Sequence, residues 1–275
     1  MINLGLIFAV LAAISWGTFF VPVRKVGITN ISQLQGATAV GVLLFAIPIG
    51  FFWGFKIQLA GLISGIIWTS ANLLALYSVR LIGLARTSPL LAGFSILASF
   101  TWGILFFGET FHSLTLALIA IGLLLGGLPF VTNGERNPSI QKKGYFTAVV
   151  SGVIGGSYII PMQATQTLQS GFFSSSLSIF AIGIALFFLA RRFIKKEIIA
   201  GIISGTFFNL GSLSVLIAVG LVGITIAYPI SQTATLFAVS WGILYFKEVV
   251  QKRGILRVAV GVVIMLCGAT LLVIS

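Results

Sequence analysis

The chain has 275 residues, of which 58% are hydrophobic and 7% charged, and its net charge is +12. Globular domains carry about 25% charged residues, so this chain cannot cover a water-soluble surface and is expected to be an integral membrane protein. Its Lys and Arg residues lie singly or in pairs between apolar runs, which is the pattern of topology signals and excludes a continuous nucleic-acid-binding face.

A helix crosses the hydrocarbon core with about 20 apolar residues. Ten runs reach or approach that length: Leu4–Val23, Ser32–Trp53, Leu59–Val79, Thr87–Phe107, Leu114–Val131, Gly144–Ala164, Phe172–Ala190, Ile198–Val219, Thr225–Phe246 and Gly254–Ile274. The first is expected as a span, because it is longer than a signal-peptide core and no small-residue cleavage site follows it. A strand barrel is not expected, since the runs lack the alternation it needs. The single cysteine, Cys267, lies in an apolar run and reads as a small core hydrophobe.

The chain is written twice. LIGLARTSPLLAGFSILASFTWGILFFGE (Leu81–Glu109) returns as LVGITIAYPISQTATLFAVSWGILYFKE (Leu221–Glu248). Pro89 answers to Pro229, Trp102 to Trp241 and Glu109 to Glu248; GLISG (Gly61–Gly65) returns as GIISG (Gly201–Gly205). The offset is 140 at the prolines and 139 at the tryptophans, so one residue was gained or lost between them. The longest break, TNGERNPSIQKK (Thr132–Lys143), falls where the copies join. Five helices per copy is an odd number, so the copies must enter the membrane in opposite senses. Charge tests this independently. The loops after runs 1, 3, 5, 7 and 9, taken with Arg257 at the start of run 10, hold every Lys and Arg except Lys56. The positive-inside rule makes that side cytoplasmic and both termini extracytoplasmic. The expected fold is all-α: ten transmembrane helices as two five-helix inverted-topology repeats, over residues 1–135 and 140–275.

Two inverted halves can rock about a site at the bilayer midplane, as in secondary transporters that work by alternating access. An embedded enzyme is disfavoured by the inventory. Aspartate is absent, His112 is the single histidine, and there is no phosphate loop ending in Lys-Ser/Thr; no metal or cofactor is expected. The four glutamates lie at run ends or in the joining loop. A charged substrate normally meets an opposite charge in the membrane. The expected partners are therefore a small neutral or zwitterionic molecule and bilayer lipid, with no nucleic acid, and the chain is expected as a monomer or homodimer.

Polar and aromatic side chains within the runs are the candidate substrate-binding residues: Trp16, Trp68, Asn72, Tyr158, Asn209 and Gln232. Trp68 and Asn72 are four apart and share a helix face. For Asn72, Asn209 and Gln232 two roles are open, substrate recognition and interhelical bonding worth about 0.6–2 kcal/mol each. Gln163 and Gln166 read as helix-end residues near solvent, and Trp102 and Trp241 as interfacial anchors. Pro22 and Pro161 lie late in the first run of each copy, where they would kink helices that bend during gating. Pro89 and Pro229 are also gating candidates, although a first-turn position would explain them. Gly61 with Gly65, and Gly201 with Gly205, suit close helix packing. Glu109 and Glu248 suit loop ion pairs or capping of the next helix. The pair Glu109 and His112 is the candidate for proton coupling.

Ser15-Trp16-Gly17, LIGLARTSPLLAG and WGILFFGE (Trp102–Glu109) resemble the drug/metabolite transporter superfamily, over essentially the whole chain. Within it, GTFFVPVRK (Gly17–Lys25), GLISGIIWTSANL (Gly61–Leu73) and Ser231-Gln232 are similar to the glucose/ribose porter branch. The resemblance implies sugar uptake through the cell membrane, often proton-coupled. The absence of a carboxylate within a run leaves both proton symport and facilitated transport open. The alternative is an exporter of amino acids or other small amphipathic metabolites, as in sister branches.

Overall fold

A computed structural model of the protein describes residues 2–107, 113–132, 138–190, 193–222, 227 and 230–273. Among the described residues there are helices and no strands, and nine helical segments are long and apolar enough to cross a membrane. The first joins two pieces, α1 (Ile2–Thr18) and α2 (Val21–Val26). Then follow α3 (Ile31–Trp53), α4 (Leu59–Ile82), α5 (Leu84–Phe107) and α6 (Leu114–Thr132). The second half opens with another broken segment, α7 (Pro138–Gly156) and α8 (Ile160–Ala164). It continues with α9 (Gly171–Phe188), α10 (Lys195–Val222), α11 (Ala234–Ser240) and α12 (Lys252–Val273). A π-turn at Trp241–Tyr245 extends α11. The ninth expected run, Thr225–Phe246, is described only in part, over these last two pieces and a few residues before them.

Proline chemistry accounts for both breaks. Pro22 and Pro161 are the second residues of α2 and α8. Each ring clashes with the carbonyl four residues back, and neither residue can donate to it. The carbonyls exposed at the breaks find side-chain donors. Ser204 Oγ donates to the Phe19 carbonyl, and Ser99 Oγ donates to that of Gly156 at 2.8 Å.

Pro89 does not occupy a first turn. α5 begins at Leu84, three residues before the expected Thr87, and Pro89 lies inside it. The earlier start has a cause. Glu248 accepts from the backbone N–H groups of Leu84 at 2.9 Å and Ala85 at 2.8 Å, and so satisfies the orphan donors of that helix end. Gly83, at φ +84°, makes the turn between α4 and α5. A Cβ there would meet the Glu248 carboxylate, with Oε2 2.6 Å away.

The helices pack mainly across the join. α3 lies between α9 and α10, α4 against α7 and α9, α1 against α10 and α11, α5 against α7 and α11, and α6 against α12. The paired glycines serve these crossings. A Cβ on Gly61 would lie 2.6 Å from the Gly171 carbonyl and 2.7 Å from Ser174 Cβ of α9. One on Gly201 would lie 2.5 Å from Ala37 Cβ and 3.0 Å from the Leu34 carbonyl of α3. Gly65 meets Ser175 and Ser178 of α9 in the same way, and Gly205 meets Thr38 of α3. Cys267 is exposed on α12 instead of filling the core. Its neighbours Gly261, Met265 and Gly268 are the residues that meet α6 or α5, which leaves Cys267 on the outer face.

Candidate functional site

The aromatic side chains of α1, α4 and α10 converge in the middle of the bundle. Trp68 on α4 and Phe208 on α10 stack with ring centroids 4.1 Å apart and planes inclined by 35°. Phe19 stands 6.0 Å from Phe208. Trp16, Phe19 and Tyr158 pack, partly buried, against the group formed by Trp68, Phe208, Ala39, Val42 and Ile179. The Trp16 indole N–H donates to the Phe208 carbonyl at 3.2 Å, and Gly211 leaves room for the ring: a Cβ there would lie 2.6 Å from Nε1.

Two buried amides flank this group. Asn72 lies one helical turn from Trp68, and its Nδ2 donates to Gln35 Oε1 at 2.7 Å. Asn209 follows Phe208; its Nδ2 donates to the Val42 carbonyl at 2.7 Å and to Ser176 Oγ at 3.0 Å. Both amides bind α3, so α3 is the element that joins the two candidate walls.

Five of the six candidate substrate-binding residues are thus gathered: Trp16, Trp68 and Tyr158 in direct packing, Asn72 and Asn209 beside them. Gln232 lies elsewhere. It lines a shallow, mostly apolar cleft with Pro89, Gly93, Thr235, Leu124 and Met265. Gln35 carries no distinguishing mark in the sequence, since it falls in the first turns of its helix, where an amide reads as interfacial. It is fully buried.

Other sequence candidates have structural roles. Glu248 forms an ion pair with Arg24, Oε1 to Nε at 2.8 Å, while capping α5. Of the two roles expected for it, the ion pair is present, and the helix it caps is α5 and not the one that follows it in the chain. Trp102 and Trp241, expected as interfacial anchors, each tie a break. The Trp102 indole donates to Ser157 Oγ at 2.7 Å, and that of Trp241 to Thr18 Oγ1 at 3.2 Å. Gln163 and Gln166 are exposed. Pro229, Glu109 and His112 lie outside the described residues.

The sequence model of the sugar transport protein family matches residues 7–275. The chain belongs to this family. As a family member it is a multi-pass membrane protein of transport, and its relatives match end to end. It is 27% identical to a candidate ribose uptake protein, RbsU, of Latilactobacillus sakei subsp. sakei (strain 23K), over 97% of each chain. It is 25% identical to the glucose uptake protein GlcU of Bacillus subtilis (strain 168), over 98% of each chain. A protein of known crystal structure superposes with a TM-score of 0.61 at 14% identity, covering 97% of this chain and 95% of the other, which is a likeness of fold.

Proposed function

We propose that the chain is a secondary transporter that moves a small neutral sugar across the cell membrane by alternating access, and that the site lies at the Trp68–Phe208 stack. One observation carries the reading. Positions 68 and 208 are 140 apart, the offset of the surrounding repeat, so the stacked rings are the same position of the two copies. Phe19 and Tyr158, 139 apart, flank the stack as a second such pair. A site at the interface of two repeats stays in place while the rocking halves open it first to one side of the membrane and then to the other.

The packing supports two inverted five-helix repeats and ten spans. The contact of α4 with α9 has its counterpart in α10 with α3, and that of α1 with α10 in α7 with α4. Trp102 on Ser157 has its counterpart in Trp241 on Thr18. The breaks before Pro22 and Pro161 are the natural hinges. The Lys- and Arg-rich ends are cytoplasmic in this reading, and both termini are extracytoplasmic.

The chemistry of the site suits a sugar. Tryptophan faces stack on the C–H faces of sugar rings, and amides both donate to and accept from hydroxyls. The relatives' names point to the same substrate class.

Counterflow in proteoliposomes tests the proposal. Vesicles preloaded with one unlabelled compound receive the same compound labelled, with glucose, ribose and rhamnose run beside phenylalanine and threonine. Accumulation of a sugar is expected; accumulation of an amino acid alone removes the sugar reading. Repeating the assay under an imposed pH gradient addresses Glu109 and His112, since indifference to the gradient removes them as a coupling pair.

A further inference from the structure

We infer that Gln35 is a substrate-reading residue, whose free Nε2 amide group donates a hydrogen bond to one hydroxyl or ring oxygen of the sugar held against Trp68. The inference rests on the sugar site proposed above and names a residue that binds within it.

Gln35 is 0% exposed, and its Nε2 has no hydrogen-bond partner in the structure. A buried polar group left unsatisfied costs about 1–3 kcal/mol, so such groups call for a reason. Its neighbour Gln33 provides the control. Gln33 is as deeply buried on the same helix, yet both ends of its amide are met: Nε2 donates to the Ile194 carbonyl at 2.7 Å, and Oε1 accepts from the Ile194 N–H at 3.0 Å. The fold therefore meets one buried glutamine of α3 at both ends of its amide and the other at one end only.

The half-satisfied one is also held in a fixed orientation. Asn72 Nδ2 donates to Gln35 Oε1 at 2.7 Å, which turns the Nε2 end away from Asn72. Asn72 is one turn from Trp68 on α4, and Ala39, one turn from Gln35 on α3, packs in the same group as Trp68. Gln35 is thus one helical turn, about 5.4 Å along the α3 axis, from a residue that packs against Trp68. An apolar substrate would leave the unmatched donor stranded. An oxygen-rich neutral molecule lying on Trp68 would satisfy it.

The test combines one variant with a set of ligands. Wild type and Gln35→Met, which has similar volume and no hydrogen-bonding head, are assayed by counterflow and by quenching of tryptophan fluorescence. The ligands are the transported sugar and its series of monodeoxy analogues. In wild type, one analogue is expected to raise half-saturation about tenfold or more, the scale of one unmatched buried group. In Gln35→Met the parent sugar should weaken similarly, and the ratio of that analogue to the parent should collapse towards one. If Gln35 only holds Asn72 in place, Gln35→Met weakens parent and analogues equally and leaves every ratio intact; that result overturns the inference, as does an unchanged half-saturation. Gln35→Asn, which withdraws the amide without adding bulk, is the second variant and should blunt the same ratio. A flat deoxy profile in wild type overturns the inference without any variant. Failure of wild type to bind or move any sugar removes the sugar site itself, a distinct outcome read before any variant is made.

Discussion

In the site proposed above, single side chains divide into those assigned to the sugar and those that hold helices together. Trp68 has its indole stacked on Phe208, and no described hydrogen bond of its own anchors it. Trp68→Ala is expected to lower counterflow at least about tenfold, the upper range for a lost stacking contact and its burial together, while the protein still extracts as a folded monodisperse species. Asn209 makes two interhelical bonds, to Val42 and Ser176. Asn209→Ala should instead lower stability by about 1–2 kcal/mol, read as a lower melting temperature in detergent, with half-saturation little changed. The sequence makes the pair Trp68 and Asn72 readable, since four-residue spacing on a helix sets both on one face. Gln35 is harder to read. Its importance comes from a bond to Asn72, 37 positions away, and from the atom that bond leaves over, and neither leaves a local trace. Gln232 is the converse case: an amide in an apolar run that the fold directs to a different cleft.

At the level of elements, the glycine pairs and the prolines act as local geometry demands. Gly65 lies against Ser175 and Ser178 of α9, with Ser178 Cβ 2.8 Å from where its own Cβ would be. Gly65→Val should destabilise by about 1–3 kcal/mol through overpacking, and a protein melting like wild type would show that α4 and α9 separate freely. Glu248 joins α2, α5 and its own segment by one ion pair and two backbone bonds. Glu248→Gln keeps an acceptor for the α5 terminus but loses the charge opposite Arg24. The expected cost is about 0.5–2 kcal/mol, typical of a weakened cap, and it should grow in Glu248→Ala; equal melting of wild type and both variants would refute the cap. Element existence was legible because apolar runs of membrane length are long and unambiguous. The start of α5 was not, because the residue that caps it comes from a segment 164 positions away. No window around Thr87 contains that information.

At the scale of the whole molecule, the repeated words, such as GLISG and GIISG, are the most legible feature of the sequence. What the sequence left open is which helices touch. The described helices pack chiefly on partners beyond the join: α3 on α9 and α10, α4 on α7 and α9, α6 on α12. This arrangement bears on how the protein is made. When the ribosome has delivered the first five segments, the glycine faces of α4 and several polar side chains of the first half still lack their partners. Gln33 lacks Ile194, Thr29 lacks Glu197, and the N-terminus of α5 lacks Glu248. The nascent half is therefore expected to stay loosely associated in the lipid until synthesis of the second half supplies its neighbours. A chain stopped after Thr132 should therefore be inserted yet remain protease-sensitive, and co-expression with residues 133–275 should restore resistance; resistance of the first fragment alone would show that it folds independently. Restoration of resistance by co-expression would make each half the other's template during biogenesis, a missing C-terminal half being marked by unmet polar groups in the N-terminal one.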